Sequence, residues 1–155
     1  MIKVLFVCLG NICRSPMAEM IMKDMVRKAG REDEFEIASA ATSREEIGNP
    51  IYPPARKELD SRGIPYEHRG ARQMTREDYE YYDLLIGMDD NNLRNMRRIA
   101  GLGVGDRGKI RSLLELAPED YPRHGCAVAD PWYTGDFAAT YEDLVAGITG
   151  LLSQL

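Results

Sequence analysis

Apolar residues along the chain fall into two spacings, short unbroken runs and repeats of three to four, and the two alternate from end to end. Residues Ile2–Val7 form a β-rich apolar run of the kind that suits a strand covered on both faces. Ser15-Pro16 then reads as a helix start, with serine as cap and proline at the first helical position. Met17, Ile21 and Met25, with Met20 and Met22 on a neighbouring row, repeat at helical intervals until Ala29-Gly30 closes the helix. Phe35–Ser39 predicts a second strand. The following ATSREEIGNPIYPP, with a glycine and three prolines, predicts a loop without regular structure.

Ala55–Arg62 predicts a helix ended by Gly63, with Pro65 preventing its continuation. Thr75 precedes a short helix and has Asp78 three residues on as a capping partner. Asp83–Met88 predicts a third strand, and Asp89 caps the helix DNNLRNMRRIA. Lys109–Leu116 is ambiguous in pattern, with a fourth strand expected at its start, and Ala138–Leu155 is a final helix with Leu144, Ile148 and Leu151 on its apolar face. Strands alternating with helices predict an α/β fold built on a parallel sheet with helices on both faces, in one domain spanning residues 1–155.

Composition narrows the class. A chain of 155 residues can bury a core without disulfides or metals. The net charge of −5 gives no basic excess for general nucleic-acid binding, yet one local positive pocket can still hold an anion. Three irregularly spaced cysteines do not form a disulfide framework. The apolar start is interrupted by Asn11 and Arg14 and lacks a small-residue cleavage site, and no apolar run is long enough to span a membrane. A soluble, cytoplasmic protein is expected.

The stretch VLFVCLGNICRSP carries the chemistry. A parallel sheet places ligand sites at the carboxyl ends of its strands. Cys8 follows the first strand there, and Leu9–Arg14 lead into a helix N-terminus, where inward backbone N–H groups and the helix dipole favour an anion. Gly10 permits close backbone approach or a positive φ, and Asn11 is among the few other residues that tolerate one. Arg14 completes C-x5-R with a planar fork for two phosphate oxygens. In that field Cys8 is expected as a thiolate, an in-line nucleophile whose product is a cysteinyl-phosphate. The nucleotide-binding G-x-x-x-x-G-K-[ST] pattern is absent. With no CxxC pair and no nearby histidine, a metal is not expected at the loop.

Phosphate ester cleavage also needs an acid for the leaving oxygen. Asp130, fixed in direction by Pro131 and followed by Trp132 and Tyr133, can supply it. The same residues can equally start a turn and plug the core, and the pattern alone does not choose.

VCLGNICRSPMAE followed far downstream by DPW resembles the low-molecular-weight protein tyrosine phosphatase family, with further counterparts in SAATS at 39–43, ARQMTRED at 71–78, GMDDNNL at 87–93 and DPWYTGDF at 130–137. The resemblance implies a three-layer, doubly wound, four-stranded parallel sheet with a phosphate-binding loop (Leu9, Gly10, Asn11, Ile12, Cys13, Arg14, Ser15) after the first strand. It implies hydrolysis of phosphotyrosine, in proteins or as a small aryl phosphate, with no cofactor and with inorganic phosphate as product and inhibitor. By resemblance Cys8 is the nucleophile, Arg14 the phosphate-binding arginine and Asp130 the acid that then activates water. Asn11, Ser15 and Ser39 correspond to a polar network holding the loop, and His68 belongs either to that network or to an ordinary loop, because HRGAR carries an apparent extra residue. Leu9, Trp132 and Tyr133 resemble the walls of a deep slot, and Asp89 matches a site-orienting position as well as a helix cap. An aromatic common in the family near Glu45 is missing here, which implies a more open, acidic rim. Cys13 would trap oxidised Cys8 as a disulfide. A monomer or weak dimer is expected.

Three rivals share parts of this pattern. An arsenate reductase of the same fold needs a further cysteine pair that residues 75–100 lack. A protein-arginine phosphatase tends to carry a threonine-type residue in place of Ile12. A non-catalytic phosphotyrosine sensor has no need to keep Cys8, Arg14 and Asp130 together.

Overall fold

The computed structural model describes residues 1–101 and 106–155. Four parallel strands make one sheet in the order β2-β1-β3-β4: β1 is Ile2–Cys8, β2 Phe35–Ala41, β3 Leu84–Gly87 and β4 Ile110–Ser112. β1 pairs with β2 from Ile2↔Phe35 to Cys8↔Ala41, and with β3 from Val4↔Leu84 to Val7↔Gly87. Because β1 has β2 on one side and β3 on the other, the chain reverses its winding direction there. A crevice at such a switch point, beyond the carboxyl ends of the strands, is where open α/β sheets bind ligands.

The pleat of β1 divides the core. Val4, Phe6 and Cys8 face helix α1 (Arg14–Lys28), helix α2 (Pro53–Ser61) and the last helix, α6 (Phe137–Ser153). Leu5 and Val7 face helices α3 (Arg76–Tyr81) and α4 (Asp90–Ile99) through Tyr79, Met96 and Ala100. Burial on both faces accounts for the unbroken apolar run, since a strand with one wet face alternates instead. This is the doubly wound, helix–sheet–helix architecture the pattern predicts.

Several boundaries differ from expectation, each for a local reason. α1 begins at Arg14 with Cys13 as cap residue and no side-chain cap, so Ser15 is not the cap. The Ser15 hydroxyl is engaged by Cys8, Asn11 and the Ala40 carbonyl instead. Pro16 stays within the first turn, where a missing N–H costs nothing. β2 continues past Ser39 to Ala41, because the Ala41 amide donates to Arg72 O at 2.7 Å and its carbonyl accepts from Met74 N at 2.7 Å. α2 starts at Pro53 rather than Ala55, both prolines fitting its first turn, so the predicted loop ends two residues early.

The expected caps of α3 and α4 form, with the Asp78 carboxylate accepting from Thr75 N at 2.8 Å and Asp89 from Asn92 N at 2.8 Å. The ambiguous 109–116 stretch resolves into β4 and a 3₁₀ turn over Leu113–Glu115, where Glu115 accepts from Ser112 N at 3.0 Å. α6 runs to Ser153, two residues short of the expected end. A one-turn helix not expected from sequence, α5 (Pro131–Thr134), follows Asp130. No helix among the described residues is long and apolar enough to cross a membrane.

Candidate active site

β1 ends at Cys8, whose side chain is buried beneath the loop 9–13. Its sulfur accepts from the backbone N–H of Asn11 at 3.3 Å and of Ser15 at 3.4 Å, and lies 3.1 Å from Ser15 Oγ. Two backbone N–H groups directed at one sulfur favour negative charge on it. The Ser15 hydroxyl has one hydrogen, for which Ala40 O at 3.3 Å competes with the sulfur.

Asn11 gives the loop its shape. It has φ 58, the one non-glycine residue with positive φ among those described, and is 1% exposed. Its Nδ2 donates to Ser15 Oγ at 2.8 Å and to Ser39 Oγ at 3.0 Å, while its Oδ1 accepts from Arg72 N at 3.3 Å. Ser39 passes its own hydrogen to Glu19 Oε1 at 2.6 Å. Gly10 does not use the positive φ that sequence allowed it. It serves close approach, since a Cβ there would sit 3.3 Å from Glu46 Cγ.

Arg14, at the first position of α1, points its buried guanidinium across the loop. Nη1 donates to Asp89 Oδ2 at 2.9 Å and to Val128 O at 3.3 Å, and Nη2 to Asp130 Oδ2 at 3.3 Å. Burial works against its charge, but Cys8, Asp130 and Asp89 outweigh that and raise the Arg14 pKa. Asp89 caps α4 with one oxygen and holds Arg14 with the other, from outside the lining of the cleft. Asp130 also caps: its Oδ1 accepts from Trp132 N at 3.1 Å, which fixes the carboxylate at the start of α5.

Above Cys8 and Arg14 lies a cleft of ≈ 640 Å³, open solvent at its mouth included; Asn11, Ser15, Ser39 and Asp89 support it from outside its lining. Cys8 and Arg14 meet Asp130 there, with Leu9, Ile12 and Cys13 from the loop. Glu45, Glu46, Trp132 and Tyr133 form the rim. Trp132 is 55% exposed and Tyr133 80%, so the aromatics are not core plugs and the turn-only reading of the DPW segment falls away. The Trp132 ring is backed by Tyr52, centroids 5.0 Å apart, and Tyr52 N in turn donates to Ile12 O at 2.9 Å. Burial, followed by the charge of Cys8, pushes the Cys13 thiol up to about 12.

His68 stays outside this assembly, exposed, with its ring against Tyr66. Its neighbour Arg69 reaches in instead and donates from Nη2 to the Asn11 carbonyl. Gly70 passes so close to Gly48 that a Cβ would meet Gly48 O at 3.0 Å, and Gly48 N donates to Ala71 O at 2.8 Å. Arg69, Glu19, Tyr52 and the Arg72 amide are the supporting groups that sequence reading misses.

Cys8, Arg14 and Asp130 face one cleft, with the Arg14 guanidinium as its positive charge. Comparison with known proteins agrees. A family model described as low molecular weight phosphotyrosine protein phosphatase matches residues 3–155. The low molecular weight protein-tyrosine-phosphatase YfkJ of Bacillus subtilis is 37% identical over 155 residues, covering 100% of this chain and 96% of the relative. The human low molecular weight phosphotyrosine protein phosphatase is 38% identical over 144 residues, 92% of this chain and 88% of the relative. The crystal structure of YfkJ superimposes with a TM-score of 0.91 at 38% identity, covering 99% of this chain and 94% of that one. The chain belongs to the low molecular weight phosphotyrosine protein phosphatase family.

Proposed function

We propose that this cleft hydrolyses phosphotyrosine, in proteins or as small aryl phosphates, through a phosphocysteine at Cys8. By family the chain is a metal-independent protein-tyrosine phosphatase, and the residue roles follow from the site. One observation carries the reading: Cys8 and Arg14 of the loop and Asp130, more than a hundred residues later, converge on one cleft.

The phosphoryl group sits over Cys8, held by the amides of residues 9–15. Arg14 turns Nη2 and Nε to its oxygens while Asp89 and the Val128 carbonyl keep Nη1. Cys8 sulfur attacks phosphorus, forming S–P as the P–O bond to the aryl group breaks. Protonated Asp130 gives its proton to the departing oxygen, a contribution of about 10² to 10⁴ in rate. The Asp130 carboxylate then takes a proton from water, whose oxygen attacks phosphorus. The S–P bond breaks, and inorganic phosphate and the Cys8 thiolate are released. Phosphate is thus both product and competitive inhibitor, and no cofactor enters. Leu9, Ile12, Trp132 and Tyr133 suit a flat ring in a deep slot. Such depth keeps the shorter phosphoserine from the sulfur, and bulky Ile12 disfavours a guanidinium phosphate. Cys126 lies exposed and Cys13 buried in the loop, which gives arsenate reduction no second thiol pair.

Cys13 serves as a guard. Peroxide converts the Cys8 thiolate to a sulfenic acid with loss of hydroxide. Cys13 then condenses with it, releasing water and leaving a disulfide. Oxidation removes the negative charge of Cys8, one of the causes holding the Cys13 proton, and so eases that attack. Unpaired cysteines suit a reducing compartment, and we place the protein in the cytoplasm as a monomer or weak dimer.

Turnover of p-nitrophenyl phosphate by the wild type and its loss in Cys8→Ser test the reading. No turnover by the wild type between pH 5 and 8 would overturn it.

A further inference from the structure

The acid assignment raises a question of precision. Asp130 ends a stretch, residues 116–130, that contains no regular helix or strand, and residues 122–127 are exposed. A proton donor on such a loop needs outside fixing, since misplacement by about 1 Å can cost on the order of 100-fold in rate.

We infer that Asp143 of α6, acting with Arg123, Tyr121 and Thr140, is the positioning residue that holds Asp130 in register with the cleft, an inference that rests on Asp130 being the acid. Asp143 is 1% exposed and lies outside the cleft. Its Oδ1 accepts from Tyr121 OH at 2.6 Å and from Arg123 Nε at 3.0 Å, and its Oδ2 accepts from the Ala129 amide at 3.3 Å. One carboxylate thereby joins the early part of the loop to the residue immediately before Asp130.

The peptide groups just before Asp130 are held by Arg123 and Thr140, with Met88 and Arg14. Arg123 Nη2 donates to Ala127 O at 2.7 Å, and Thr140 Oγ1, one turn before Asp143 on α6, donates to Ala129 O at 3.0 Å. Val128 N donates to Met88 O at 2.8 Å, and Val128 O accepts from Arg14 at 3.3 Å. α6 is itself immobilised by Leu144, Ile148 and Leu151 in the core. A buried carboxylate is a poor way to gain stability, because desolvation cancels most of the attraction. Its best-attested use is to fix one arrangement among several. The arrangement fixed here is the path of the backbone into Asp130.

The test compares phenyl phosphate, a poor leaving group, with p-nitrophenyl phosphate, a good one. Asp143→Asn preserves shape but turns one acceptor into a donor facing Arg123 or Ala129 N. Its kcat/KM, which reports only the step that breaks P–O and not the shared hydrolysis of the phosphocysteine, is expected to fall about 10- to 100-fold on phenyl phosphate and less than about threefold on p-nitrophenyl phosphate. Inhibition by inorganic phosphate should change less than about threefold, since the loop around Cys8 is untouched and Asp89 still holds Arg14 if the Val128 carbonyl shifts. Tyr121→Phe and Thr140→Val, which leave the Asp143–Arg123 pair in place, should show the same selectivity in smaller degree and serve if Asp143→Asn does not fold. In an Asp130→Ala background Asp143→Asn should add nothing to the leaving-group dependence. Equal losses on both substrates, or the same loss with Asp130 absent, would reduce Asp143 to a fold-holding residue and overturn the inference. If Asp130→Ala by itself shows no leaving-group dependence, the acid assignment fails first and the inference falls with it.

Discussion

Asn11 carries two separable loads, and substituting it tests the loop geometry directly. The residue sits at φ 58 and makes three side-chain hydrogen bonds, to Ser15, to Ser39 and from the Arg72 amide. Asn11→Gly removes the three bonds but suits the backbone. Asn11→Ala removes them and also forces a Cβ into the left-handed region. At about 1 kcal/mol net for each bond, the glycine variant should lose about 3 kcal/mol. The left-handed conformation costs alanine a further 1–2 kcal/mol or so, of which the freer unfolded chain of glycine takes back about half. Alanine should therefore be less stable than glycine by about 1 kcal/mol, the reverse of their order in ordinary helix or strand.

Urea unfolding measures this as a shift in midpoint at constant slope. Both variants should also bind inorganic phosphate more weakly, since Asn11 shapes the amides beneath the anion. Asn11→Asp supplies a control: it tolerates the conformation and keeps the acceptor for Arg72 N but cannot donate to Ser15 or Ser39. If the alanine variant equals or exceeds the glycine variant in stability, the strained loop conformation is wrong. If phosphate affinity survives in all three, the loop does not depend on Asn11.

Three further outcomes follow from other parts of the structure. Asp89→Asn keeps the α4 cap, because asparagine caps as well as aspartate, but withdraws the charge from Arg14. Inhibition by phosphate should weaken while far-ultraviolet circular dichroism stays unchanged, and unaltered affinity would show that Arg14 needs no such anchor. Cys13 has its folded pKa raised from 9.0 to about 12, so the folded chain keeps a proton that the unfolded chain releases. Its contribution is complete below pH 9 and declines as pH rises towards 12, with a slope of at most about 1.4 kcal/mol per pH unit. Cys13→Ala should flatten that alkaline loss in urea titrations, and an identical slope would place the cause elsewhere. Gly150 of α6 passes so close to the 3₁₀ turn that a Cβ would lie 1.8 Å from Leu116 O. Gly150→Ala should therefore cost at least about 3 kcal/mol despite alanine's better helix propensity, and a thermally neutral variant would refute this packing.

What the sequence makes legible here is chemistry whose parts are neighbours. The strand, the C-x5-R loop and the helix behind it follow one another from Ile2 to Lys28, and the caps at Thr75 and Asp89 are satisfied three residues on. Asp130 needs the family pattern to be singled out, because DP also begins ordinary turns, and the structure places it by its contact with Arg14. The expected start of α1 fails for an informative reason. Serine before proline is a good local cap, and only the approach of Cys8, Asn11 and Ala40 from other segments claims its hydroxyl.

Glu19 and Asp143 show the same limit more sharply. Glu19 lies four residues before Lys23 on α1 and does pair with it at 2.6 Å, so by spacing alone it reads as a solvated helical ion pair. Its other oxygen is buried against Ser39, which relays to Asn11 and so to the loop around Cys8. Asp143, in the run YED of an amphipathic helix, reads as surface charge, yet its partners Tyr121 and Arg123 arrive from the far end of an irregular loop. A buried polar side chain differs from an exposed one only through its partners, and when these come from another element no local spacing reveals them. The groups that do the chemistry are therefore easier to read than those that hold them in place. For this chain the second set, centred on Glu19, Arg69 and Asp143, determines how closely Cys8, Arg14 and Asp130 keep their geometry.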